Sequence, residues 1–145
     1  MIGECYDTLS TLGHTVFRFE SIGIHGAIQK AVVFQKIGGK KYNLAFGDVT
    51  NNDLDDAVIS NNLDYVKVMN TVAKTAYLFI EKYPEATIHI EAVDDKRLKF
   101  YNAIFRRHFP VIQRTFLISG LMDGGLEFEN YQPEKSYVQF ELKLK

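Results

Sequence analysis

Four aspartates crowd one short stretch of the chain: Asp48, Asp53, Asp55 and Asp56. Hard divalent cations prefer carboxylate and carbonyl oxygen, so Asp48, Asp53 and Asp56 are candidate metal ligands. The spacing is not that of a calcium loop, whose glycine and terminal Glu are missing. The plainer reading is a solvated loop of turn- and cap-forming acids. A second group is basic: Lys96, Arg97, Lys99, Arg106 and Arg107, followed by His108. Such a set could grip a phosphate backbone or an acidic partner. It could equally be a solvated helix face, with Arg106 and Arg107 complementing the helix C-terminus. His14, His25, His89 and His108 are scattered with no pair at i, i+4, which argues against a zinc site. His89, near Glu91 on one strand face, is the histidine with a partner within reach. No Gly-x-Ser-x-Gly, Walker loop or Cys/His pair offers nucleophilic or nucleotide chemistry.

These residues must be positioned by the elements around them. Val66, Met69, Ala73, Ala76, Ile80 and Tyr83 recur by threes and fours, which predicts a helix over 62–83 with that apolar face. Val72 and Phe79 widen the face. Asn61 and Asn62 are N-cap candidates, and Asp64 falls in the first turn, where the helix dipole favours it. Pro84 should stop the helix. The period then drops to two: Ile88, Ile90 and Ala92 alternate with Thr87, His89 and Glu91, a strand over 87–93. Asp94 or Asp95 caps a second helix over 95–108, with Leu98, Tyr101, Ile104 and Phe105 as its stripe and Pro110 closing it. A strand between two helices usually lies in a sheet that helices cover.

The flanks read as strands. Residues 1–14 are a loose lead-in or a short helix. Thr15–Ser21 and Gly26–Ile37 are strands around a glycine turn, with Ile28, Val32 and Phe34 sharing a face. Gly38-Gly39 signals a hairpin into Tyr42–Val49. Thr50–Ser60 is a polar connection. Beyond the second helix, Val111–Ser119, Leu126–Tyr131 and Tyr137–Leu144 carry strand signals, with Val138, Phe140, Leu142 and Leu144 inward. The expected fold is α+β, a single mixed and mainly antiparallel sheet with two helices, in the order β-β-β-α-β-α-β-β.

With 145 residues the chain fits one domain, 1–145, large enough to bury roughly two-thirds of its unfolded surface. A lone Cys5 excludes an internal disulfide and fits a reducing compartment. The net charge of −1 gives no bias toward nucleic acid or anionic membrane. No apolar run approaches the ~20 residues of a membrane span, and the N-terminus lacks the basic start and apolar block of a signal peptide. A soluble, cytoplasmic protein is expected.

The order of elements is similar to the later part of the GNAT acyltransferase fold, over roughly residues 15–145. Within Asp94–Phe105, Tyr101 occupies the place of that family's catalytic tyrosine. The resemblance therefore implies a general-acid role for Tyr101 and a CoA cofactor. The residues also depart from the family. Asp94, Phe105 and Arg106 replace its usual Asn, Gly and Phe. Acids crowd the connection where it presents amides to a pyrophosphate. In wording the chain more closely resembles an uncharacterised bacterial and phage-associated family, through YNLAFGDV (42–49), ISNNLDYVKVMNTVA (59–73) and Arg97–Tyr101. That family brings no activity with it.

The leading expectation is a non-catalytic binding or interaction module on a GNAT-like scaffold, of bacterial or phage accessory type, with no cofactor. Whether the chain is an enzyme is left open; the alternative is a CoA-dependent N-acyltransferase with an atypical pyrophosphate loop. The expected partner is a protein, with nucleic acid a second candidate through the basic helix, no membrane, and room for a homo-oligomer.

Overall fold

The computed structural model describes residues 3–11, 13–50, 53–55 and 64–145. Its elements are β1 (Leu9–Ser10), β2 (Val16–Gly23), β3 (Gly26–Gly38), β4 (Lys41–Thr50), β5 (Asp53–Asp55), α1 (Tyr65–Lys82), β6 (Thr87–Glu91), α2 (Asp95–Ile112), β7 (Phe116–Leu121), β8 (Glu129–Asn130) and β9 (Gln139–Leu144). Strand pairing follows the order β1-β2-β3-β4-β6-β9-β7-β8, with β5 pairing β4. The β4–β6 pair is parallel, and the β1–β2, β2–β3, β4–β5, β6–β9, β7–β8 and β7–β9 pairs are antiparallel. This is the expected α+β class with a mixed, mainly antiparallel sheet; β1 and β5 are short additions. The chain divides into two compact units: Met1–Gln35 with Leu44–Tyr83, and Lys36–Asn43 with Pro84–Lys145.

In the first unit, β2 and β3 pair so that Phe17 meets Val32, Phe19 meets Lys30 and Ser21 meets Ile28. Directly opposed residues share a sheet face. Phe17, Phe19, Val32 and Phe34 are buried, as are Leu44 and Phe46 of β4. Helix α1 meets this core through Phe79, whose ring stacks on Phe34 at 4.2 Å. The buried face of α1 is Val68, Met69, Val72, Thr75, Ala76, Phe79 and Ile80. That is a rotation from the face expected from the sequence, since Val66 is 47% exposed. Thr71 and Thr75 are buried because each hydroxyl bonds a carbonyl of its own helix, of Lys67 and Val72 respectively. Helix-internal bonding makes a threonine as buriable as a valine, which hydropathy spacing does not register.

The helix begins at Tyr65, with Asp64 at the cap position. The Asp64 carboxylate does not cap; it accepts from the Tyr6 and Ser21 hydroxyls, both at 2.5 Å. The N-cap candidates Asn61 and Asn62 lie outside the described residues. Residues 3–11 form no helix and are pinned around Tyr6. The Tyr6 amide donates to Thr71 Oγ1 at 2.8 Å, and its carbonyl accepts from Lys74 Nζ at 2.7 Å. Its hydroxyl also accepts from the Ile22 amide at 3.1 Å. A side chain thus occupies an outward-facing backbone donor of β2, a common way to blunt strand pairing.

In the second unit, Lys41–Asn43 run beside Thr87–His89, and β9 lies between β6 and β7. Ile88, Ile118, Phe140 and Leu142 are buried on one face. Helix α2 covers that face through Phe105, stacked on Phe140 at 4.3 Å. Asn102 fixes the helix further, donating to the Tyr137 carbonyl and accepting from its amide, both at 2.8 Å. Tyr137 packs over Gly120, where a Cβ would come within 2.4 Å of its ring.

Several boundaries differ from expectation, the largest shifts being around the end of α2; β6 also stops at Glu91 and β9 starts at Gln139. Pro110 lies inside α2, which runs on to Ile112. Proline removes one N–H from the last turn, and the Gln113 amide still closes on Phe109 O at 3.0 Å. The strand expected over 111–119 therefore starts at Phe116, and the one expected over 126–131 shrinks to β8. Leu144, expected inward, is 41% exposed at the end of β9.

Candidate functional site

Helix α2 carries five basic side chains against one acid, Asp95. The structure separates them. Arg97 is 6% exposed, its guanidinium folded back to Asp94 at 3.4 Å, with Nε lacking a hydrogen-bond partner. The same Asp94 caps the helix through the Arg97 amide at 2.8 Å. Arg106 is exposed but tied down, its Nε donating to Pro133 O at 2.8 Å and a terminal nitrogen to Lys135 O at 3.4 Å. Lys96, Lys99 and Arg107 remain exposed. At 100° per residue these three fall within one sector of the helix, together with exposed Ala103 and Pro110. Exposed Arg114, just past the helix end, continues the line. Of the basic set read from sequence, then, Arg97 belongs to the interior and Arg106 to a loop clamp. Arg114 went unseen because it lay in what read as a strand. His108 lies half-buried behind this face, and burial, aided by the neighbouring Arg107 charge, pulls its pKa below the ordinary histidine value.

Tyr101 is 8% exposed and belongs to the buried side of α2 with Phe105. Leu98 and Ile104, expected in the same stripe, are only half-buried.

Among the three candidate metal ligands, Asp48 is buried on β4 and receives the Lys30 ammonium at 2.6 Å. Lys30 is 1% exposed and lies 5.8 Å from the centre of the Phe46 ring. Asp53 pairs with Thr50 through the backbone of β5, and Asp55 with Asp48. Asp56 lies outside the described residues. Lys30 shares parity with Ile28, Val32 and Phe34, so the period-two pattern already put it inside; its charge argued for the outside.

The second unit holds a polar cluster on the face opposite α2. Its residues alternate with buried Ile88, Ile90, Phe140 and Leu142 along β6 and β9. His89 opposes Glu141 across the β6–β9 pair and Asn43 across β4–β6. His89 Nδ1 lies 3.0 Å from Glu141 Oε2, and Nε2 lies 3.6 Å from Glu91 Oε2. Lys41 reaches the same Glu141 oxygen at 2.7 Å, and Gln139 donates to Glu91 Oε1 at 3.2 Å. The Phe128 ring stands edge-on to the imidazole at 6.3 Å. Sequence pointed to His89 with Glu91; Glu141, fifty-two positions later, needed the β6–β9 register. Among the described residues no three His, Cys, Asp or Glu side chains are grouped to hold a metal ion. No described helix is long and apolar enough to cross a membrane.

No curated protein and no solved structure shows significant similarity to the chain. A family model does match, over residues 3–145, and so the chain belongs to the Family of unknown function (DUF6934).

Proposed function

We propose that this chain is a non-catalytic interaction module that receives an acidic protein surface on the outer face of α2. The carrying observation is the line of exposed Lys96, Lys99, Arg107 and Arg114 on that face. An 18-residue helix is about 27 Å long, enough to present such a line to a partner of matching charge. The residue to which the acyltransferase resemblance assigns a general-acid role, Tyr101, is in the interior. A GNAT-like scaffold and a cytoplasmic, bacterial or phage accessory role go with this reading, supported by the order of the elements, the lone Cys5 and the wording of 42–49 and 59–73.

Fluorescence anisotropy with a labelled oligoglutamate peptide tests it, beside single-stranded RNA, duplex DNA and acetyl-CoA. The peptide should bind in a salt-sensitive way. Binding should vanish in the Lys96→Glu/Lys99→Glu/Arg107→Glu protein, with its thermal melt retained. RNA or DNA binding that persists at near-physiological salt, lost in the same variant, would make the face a nucleic-acid interface instead. Peptide binding that is absent, or that survives the triple reversal, refutes the proposal. Saturable acetyl-CoA binding lost on Tyr101→Phe would favour the enzyme.

A further inference from the structure

We infer that residues 3–11 are a displaceable strap over the outer edge of β2, and that the edge they guard pairs with β2 of a second copy of this chain, antiparallel about Phe19. This surface lies in the first unit and does not depend on the acidic-partner reading.

The edge is defined by the hairpin. β2 is eight residues long, and β1 beyond it is two. The Ile24-His25 turn closes on the Gly23–Gly26 pair. Residues 17, 19, 21 and 23 therefore bond to β3, and residues 16, 18, 20 and 22 turn their N–H and C=O groups outward. The strap meets this outward set. The Thr11 amide donates to Val16 O at 3.0 Å, Leu9 lies opposite Arg18, and the Tyr6 hydroxyl accepts from the Ile22 amide at 3.1 Å.

The strap is held lightly. Asn70 Nδ2 of α1 donates to Glu4 O at 3.1 Å, beside the Thr71 and Lys74 bonds to the Tyr6 backbone. Leu9 is 80% exposed, so the apolar anchor is the Tyr6 ring, stacked on Phe19 at 5.9 Å. Hydrogen bonds of this kind are exchanged for water at small net cost, and segments that bury little apolar surface open first. An edge so released is a template for another strand.

The sequence of β2 names the occupant, because it is self-complementary. With a twofold axis at Phe19, Arg18 lies opposite the second copy's Glu20, and Glu20 opposite its Arg18. Arg18 and Glu20 are both exposed on the outer face, where Gln29 of β3 holds the Glu20 carboxylate at 2.6 Å. Val16 meets the second copy's Ile22, a residue 55% exposed in this chain. Opposite charges directly across a strand pair stabilise it. Both members of each pair belong to the outward set, so the backbone bonds close as well. An axis at Arg18 or at Glu20 would set like charges against each other.

Sedimentation velocity of the full chain tests this, with circular dichroism as the check on folding. Tyr6→Ala should double the parent's mass. In that background Arg18→Glu should return it to the parent's value, and adding Glu20→Arg should restore the doubling. Hydrogen exchange should show the Glu20 amide protected on doubling. If Tyr6→Ala does not fold, Thr71→Val/Lys74→Ala loosens the strap from the α1 side and should give the same doubling. No doubling in either folded release variant, doubling that survives Arg18→Glu, no rescue by the charge swap, or growth into open-ended aggregates would overturn the inference. So would a parent already paired in an Arg18-dependent way, since the strap would then guard nothing.

Discussion

Replacing Lys30 by methionine tests how the acidic stretch is balanced. Lys30 is 1% exposed, and its ammonium lies 2.6 Å from a carboxylate that is itself almost wholly buried. Methionine keeps most of the stem and its packing, so the main loss is the charge. Removing one member of a buried pair leaves the other desolvated, at a cost of about 3–5 kcal/mol. For a chain near 150 residues each kcal/mol moves Tm by roughly 2–4 °C, so Lys30→Met should melt about 10 °C below the parent. The double variant Lys30→Met/Asp48→Leu removes both charges and should recover most of the loss, since apolar replacement of a buried pair is often neutral. Urea unfolding followed by far-UV circular dichroism suits a chain without tryptophan. If Lys30→Met unfolds within about 1 kcal/mol of the parent, the pair is not the internal neutraliser of Asp48. A double variant no better than the single would equally refute the argument. Restoration of Lys30→Met by Mg2+ or Ca2+ would return Asp48 to the candidate metal ligands.

Gly120→Ala should be among the most damaging small changes, because the new Cβ would fall 2.4 Å from the Tyr137 ring and that ring is 1% exposed. Overpacking typically costs about 1–3 kcal/mol, and Gly120→Ala/Tyr137→Leu should regain part of it; chemical denaturation of the pair decides, and a neutral Gly120→Ala would contradict the packing described. Stability should also fall on the alkaline side. Burial raises the phenols of Tyr6, Tyr131 and Tyr137 above their ordinary pKa of 10.0, with the Asp64 hydrogen bond adding at Tyr6. A raised folded pKa means the stabilisation is complete below the unfolded value and lost as pH rises through the folded one. Ultraviolet titration of phenolate should show these three ionising at higher pH folded than in urea, and coincident curves would refute the prediction.

Much of the scaffold was legible because hydrophobic period is a local property. The switch from threes and fours in Val66–Tyr83 to twos in Ile88–Ala92 marked α1 and β6, though with the helix face rotated, and Gly38-Gly39 marked the β3–β4 hairpin. Proline was less reliable. Pro84 follows the end of α1, yet Pro110 is inside α2, since one missing N–H near a C-terminus disrupts little.

The basic residues of α2 could be counted from the sequence, but their roles could not. Arg97 is interior, Arg106 clamps the carbonyls of Pro133 and Lys135, and Lys96, Lys99 and Arg107 face solvent. The helical angle separates the first from the rest. Only the path of the 132–135 turn explains the second.

What the sequence by itself determined is therefore the class of fold, the order of the long elements and the parity of β2, β3, β6 and β9, because these follow from interactions within a few residues. Tertiary structure alone decided the pairings. Lys30 meets Asp48 across eighteen positions, Tyr6 meets Asp64 across fifty-eight, and His89 meets Glu141 across fifty-two. For Lys30 with Asp48 and His89 with Glu141, all on strands, register sets which groups share a row, and a shift of one residue would send a side chain to the opposite face. A charged or polar side chain looks the same in sequence whether water or a distant partner satisfies it. Only the fold brings the partner within 3 Å, and with it the difference between a solvated residue and part of a site.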